Sequence, residues 1–77
     1  MKRIEFHPDA AREANDAVDY YDERRAGLGE EFRADLRAAL ARIVENPELY
    51  AELSGVRQCP LSRFPYSVHY AELQDVI

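Results

Sequence analysis

The spacing of apolar residues changes along the chain, and each change marks an element. Over Arg3 to Phe6, Ile4 and Phe6 alternate with Arg3, Glu5 and His7, the two-residue period of a half-buried strand. His7-Pro8 ends that strand. Pro8 has no amide proton and a fixed φ, which suits the first position of a helix, and Asp9 puts negative charge at the positive end of the helix dipole. From Asp9 to Arg25 the apolar positions Ala10, Ala14, Ala17, Val18 and Tyr21 recur three or four apart, while Asp16, Asp19, Asp22 and Glu23 lie off that stripe. The pattern predicts an amphipathic helix with an acidic outer side, stopped at Ala26-Gly27 by a glycine free to turn left-handed.

A second helical stripe follows at once, through Leu28, Phe32, Leu36, Ala39, Leu40, Ile43 and Val44, until Asn46-Pro47 stops it. Helices joined by so few residues pack as an antiparallel hairpin. Pro47 to Gly55 reads as a loop anchored by Leu49, Tyr50 and Leu53. The period then returns to two: Val56 to Leu61 and Tyr66 to Leu73 read as an antiparallel pair of strands joined through Ser62-Arg63-Phe64-Pro65. Pro60 removes a ladder donor, which puts it at an edge or a bulge. Gln74 to Ile77 reads as a turn and the start of one more strand. The expected fold is α+β, in the order β-α-α-β-β: an N-terminal strand, a helical hairpin and a small, mainly antiparallel sheet.

Seventy-seven residues hold one small core, so residues 1–77 are expected to form a single domain. The longest apolar run, Ala38 to Ala41, is far short of the roughly 20 residues of a membrane span, and no signal-peptide core follows Met1. The cytoplasm is the expected location, with no membrane partner. The single cysteine, Cys59, cannot form an intrachain disulfide. Ten basic against fifteen acidic residues give a net charge of −5, and the whole excess lies in residues 1–55, which carry eight basic and thirteen acidic groups. A phosphate backbone repels such a surface unless its cations are gathered in one place, so sequence-specific nucleic-acid binding is not expected.

Few residues offer chemistry. His7, Cys59 and His69 are separated by 52 and 10 residues, which matches no short zinc spacing, and no metal or cofactor is expected. Nothing around Ser54, Ser62 or Ser67 supplies the orienting group and oxyanion site of a serine nucleophile. Gly27-Leu28-Gly29 lacks the lysine and preceding strand of a phosphate loop. Arg57 and Arg63, near Phe64, Tyr66 and Tyr70, are the better candidates, because guanidiniums hold phosphate bidentately and aromatic rings stack. Against that, Phe64, Tyr66, Val68 and Tyr70 alternate as the inner face of a strand requires. Tyr20 lies beside the apolar stripe that Tyr21 belongs to, where an exposed aromatic marks a contact surface.

The ordered set Ile4-Glu5-Phe6-His7-Pro8-Asp9-Ala10, Tyr20-Tyr21, Gly27-Leu28-Gly29, Phe32, Asn46-Pro47, Arg57 and Phe64-Pro65-Tyr66-Ser67-Val68-His69-Tyr70 resembles the RelE/ParE toxin superfamily over almost the whole chain. The tyrosine pair before Gly-Leu-Gly is closer to the ParE side, and the net charge points the same way. The resemblance implies the toxin of a bacterial type II toxin–antitoxin pair. As a ParE-like member it would inhibit DNA gyrase by binding and be neutralised by a cognate antitoxin, with which it would form a hetero-oligomer. As a RelE-like member it would be a ribosome-dependent messenger endoribonuclease, and only then an enzyme. Members usually continue with a further strand and a tail bearing His, Arg and an aromatic residue, which this chain lacks, so no catalytic residue can be assigned. A non-toxic antitoxin-binding module is the third reading. Arg57, Arg63 and Tyr66 are the expected target-binding residues. Tyr20, Leu28, Phe32 and Leu36 are those expected to line the antitoxin surface, interior packing being the competing role for Phe32 and Leu36.

Overall fold

The computed structural model describes residues 2–74, so the strand expected after Gln74 lies outside the described residues. Its elements are β1 (Lys2–Phe6), α1 (Ala10–Arg24), α2 (Leu28–Glu45), β2 (Glu52–Leu53), β3 (Val56–Pro60) and β4 (Ser67–Gln74). The strands form one antiparallel sheet in the order β1-β4-β3-β2. The α+β architecture and the order of elements are those the periodicities predict. The first and last strands of the chain are neighbours in this sheet: Phe6 lies opposite Tyr70 and Ile4 opposite Glu72.

Pro8 and Asp9 form a turn, and α1 begins one residue later than the charge pattern suggests. Its first helical bond runs from the Glu13 amide to the Asp9 carbonyl at 2.9 Å. The Asp9 amide is taken instead by His7 Nδ1, at 3.1 Å. Between the helices, Gly27 adopts φ +88°, a left-handed conformation that L side chains adopt only under strain. Gly29 serves a different purpose. Its amide donates to Asp22 Oδ1 at 2.7 Å, and a β-carbon there would stand 2.7 Å from the Asp22 carboxylate carbon. Asp22 of α1 thus satisfies an otherwise unpaired donor in the first turn of α2, locking the hairpin at its tip.

One face of the sheet is covered by helices. Phe32, Ala39 and Ile43 of α2 meet Cys59, Leu61, Val68 and Tyr70, and α1 adds Val18. α1 packs chiefly on α2. Residues of opposite parity, such as Gln58 and His69, face solvent. The buried Tyr70 hydroxyl donates to the Pro47 carbonyl at 2.8 Å, and the Arg42 guanidinium joins α2 to the Tyr50 hydroxyl (3.2 Å) and the Pro60 carbonyl (3.1 Å). These bonds pin the segment 47–50 and the end of β3 to the helix.

That segment departs from expectation in two ways. It contains β2, which makes a two-residue hairpin with β3 through Ser54 (φ +53°) and Gly55 (φ +83°). Positive φ at both central residues is the type I′ geometry whose twist suits a tight hairpin. In addition, Leu49 and Leu53 do not anchor the loop: Leu53 is 77% exposed, because β2 is an edge strand, and only Tyr50 packs on the core. Pro60 lies opposite Ser67 and beyond the reach of β2, which pairs with Val56 and Arg57 alone, so its missing donor leaves no partner unsatisfied across that edge.

Candidate functional site

At the tip shared by the helical hairpin and the β3–β4 turn, carboxylates organise the backbone. Asp35, buried on α2, accepts the amides of Ser62 (3.3 Å) and Arg63 (2.8 Å), and Leu61 N–H reaches the Tyr66 carbonyl at 2.9 Å. A carboxylate can be buried there because two amide donors replace its water. Arg63 then extends outward to Glu31 Oε1 at 2.7 Å, and Arg25 takes Glu31 Oε2 at 2.8 Å. Hydrogen bonds from Arg25 and Arg63 hold the Glu31 carboxyl below its ordinary range. Beneath this network Tyr21, Phe32, Phe64 and Tyr66 form a ring cluster, with Phe32 edge-on to Phe64 (5.3 Å) and to Tyr66 (5.1 Å).

Arg57 stands at the other end of β3, on the core side with Cys59. Its Nη1 donates to the Tyr50 carbonyl and, at 3.5 Å, to that of Glu48, while Nε faces Glu72 Oε1 of β4. Its side chain is 19% exposed and that of Glu72 6%, which makes this ion pair the most enclosed among those of the described residues. About 10 Å of strand separates Arg57 from Pro60 alone, so the two arginines form no joint clamp. Each is engaged by a carboxylate of its own chain.

Between these ends an apolar groove of about 350 Å³ runs along the junction of β1, α1, α2 and β4. Phe6, Pro8, Ala14, Leu36, Leu40 and Val68 form much of its lining, and His7, Glu13, Tyr66 and His69 supply its polar groups. Burial, and secondarily the nearby Glu13 carboxylate, raises the Tyr66 phenol above its ordinary range, which keeps it a neutral donor. A second depression shares Phe6, His7, Pro8 and His69 with the groove and is lined also by Glu5, Val56, Tyr70 and Ala71.

The residues expected to face an antitoxin are dispersed. Leu36 lines the groove, Phe32 is fully buried beneath it, and Leu28 is half-buried at the start of α2. Tyr20 is 50% exposed near the end of α1, its ring edge-on to Tyr21 and covered by the Arg24 guanidinium, 4.6 Å above its centre. Among the expected target-binding residues, Arg63 and Tyr66 lie near the β3–β4 turn and Arg57 lies apart. Sequence reasoning missed Asp35 and Asp22. Asp35 sits three residues after Phe32, on the buried stripe of α2, and a carboxylate in that register is the signal that could have found it.

A helical hairpin laid across one face of an antiparallel sheet, with the first strand closing on the last, defines a RelE/ParE-like α+β protein. Within that class the chain belongs to the ParE toxin family: residues 4–77 match the family described as the ParE toxin of the type II toxin–antitoxin system, parDE. No curated protein and no solved structure matches the chain. Family membership supports a toxin role with an antitoxin as partner. Among the described residues no helix is long and apolar enough to cross a membrane.

Proposed function

We propose that the protein acts by binding DNA gyrase, without chemistry of its own, and that its antitoxin neutralises it by laying an apolar segment along the hairpin and the groove. The observation that carries this reading is the family match over residues 4–77. Electrostatics supports it independently. With a net charge of −5, and with Arg57 and Arg63 engaged by Glu72 and Glu31, the surface offers little to an RNA backbone.

In this reading Arg63 and Tyr66 meet the target, and Arg57 holds the sheet end that presents it. Tyr20, Leu28 and Leu36 meet the antitoxin, with Phe32 supporting Leu36 from within. The test adds purified protein to a gyrase supercoiling assay, with and without antitoxin. Arrest of supercoiling that the antitoxin relieves is expected. Unaffected supercoiling at high excess refutes direct inhibition. Message cleavage in a translating extract would then identify the ribonuclease reading, and normal growth on expression without antitoxin the non-toxic module.

A further inference from the structure

The β3–β4 turn is held from outside itself. The amides of Ser62 and Arg63 donate to Asp35, 27 and 28 positions earlier in the chain. Asp35 is only 8% exposed, on the stripe it shares with Phe32 and Ala39, where core packing alone has no use for a charge. One turn earlier on the same helix, Glu31 accepts Arg63 Nη2 at 2.7 Å and Arg25 Nη2 at 2.8 Å. α2 thus grips Arg63 twice, by its backbone and by its guanidinium. Phe64, the next residue, is fixed in turn by ring contacts with Tyr21 (4.8 Å) and Phe32 (5.3 Å). Yet the Arg63 side chain is 64% exposed and only its Nη2 is engaged among the described residues, so its remaining donors stay open to a partner.

We infer that Asp35 is a positioning residue for Arg63: by holding the Ser62 and Arg63 amides it sets the direction in which the arginine leaves the surface, and Glu31 then fixes the guanidinium. The inference rests on the reading of Arg63 as a target contact. An arginine ordered beforehand loses less rotamer freedom when it binds, so its contact with the target is made at lower entropic cost. Aspartate is the residue this geometry requires. Its two carboxylate oxygens accept two amides, whereas asparagine of nearly the same volume offers one acceptor and turns an NH₂ donor toward the second amide. Glu31 cannot replace it, because Glu31 reaches only the tip of the side chain and leaves the backbone of the turn free to swing.

The test begins with NMR on the wild-type full chain. The Ser62 and Arg63 amides should exchange slowly although both residues are exposed, and the Arg63 Nε–H should have an order parameter above about 0.6. Fast exchange at both amides, or a disordered Nε–H, would overturn the inference before any variant is made. In Asp35→Asn, with circular dichroism checking the fold, amide exchange should quicken and the Nε–H order parameter fall below that level; an unchanged order parameter would also overturn it. Gyrase supercoiling supplies the functional arm. Arg63→Ala should weaken inhibition about tenfold and Asp35→Asn about threefold, but Asp35→Asn should add nothing in the Arg63→Ala background. An equal further loss in that background would show that Asp35 acts on the whole fold and not through Arg63. The order parameter needs no target, so it decides the positioning role even where wild-type protein leaves supercoiling unaffected, the outcome that refutes the gyrase reading alone.

Discussion

Replacing Gly29 by alanine reverses the usual rule for glycine in a helix. In an unobstructed helix the change stabilises by up to about 1 kcal/mol, since alanine loses less backbone entropy. Here the new methyl would stand 2.7 Å from the Asp22 carboxylate, which must swing away and release the Gly29 amide. Losing a cap of this kind costs about 1–2 kcal/mol. The two terms leave Gly29→Ala destabilised by about 0.5–1 kcal/mol, a fall of roughly 3–8 °C in Tm for a chain of this size. Asp22→Ala alone loses the same bond and recovers part of it in helix propensity, for a net cost of about 0.5–1 kcal/mol. In the double variant the methyl enters vacated space, the bond is already gone, and the propensity gain returns. The second substitution therefore changes sign with background, and a cycle of urea or thermal melts should give a coupling of about 1–2 kcal/mol. Stabilisation by Gly29→Ala in the wild-type background, or additivity within about 0.3 kcal/mol, would refute the reasoning.

Three further outcomes follow from the site. Removing one partner of the enclosed Arg57–Glu72 pair, as in Arg57→Met, should cost about 3 kcal/mol in denaturant melts, whereas Arg57→Met with Glu72→Leu should recover most of it; equal losses in the two would deny that the pair is coupled. Glu31, with its carboxyl lowered by Arg25 and Arg63, contributes stability that is present above its ordinary value of 4.5 and lost as pH falls through the depressed value. Glu31→Gln should therefore lower Tm at neutral pH and match wild type in strong acid; a gap independent of pH would contradict the assignment. Tyr20→Ala should weaken antitoxin binding by about 1 kcal/mol or more in calorimetry, and unchanged affinity would remove Tyr20 from the interface.

Where the sequence could be read and where it could not follows from the range of the forces involved. Period-two and period-3.6 stripes placed both helices and three of the four strands, because each stripe records the side of an element turned toward the core. β2 escaped, since two exposed residues hold no period and the Ser54-Gly55 turn is a weak signal beside Asn-Gly. Leu49 and Leu53 misled for a related reason: apolarity promises burial only where something lies above to cover it, and an edge strand has no such cover. Arg57 lies on the core side of β3 with Cys59, two positions away, but its engagement by Glu72 depends on which residue of a strand distant in sequence lies beside it. Asp22 reads as a charged position off the apolar stripe of its helix and Asp35 gives no signal of its own; both became acceptors for backbone amides only when Gly29 and the 62–63 turn arrived at hydrogen-bond distance.

By itself the chain determined the periods, the breaks at Gly27, Asn46 and Pro65, the acidic excess and the family motifs, all of which are local or additive properties. Tertiary structure decided which charges are neutralised and which side chains converge. The meeting of Arg57 with Glu72 is the clearest instance: it depends on the register between β3 and β4, fixed by packing Cys59, Val68 and Tyr70 against one core, and no distance counted along the chain encodes it.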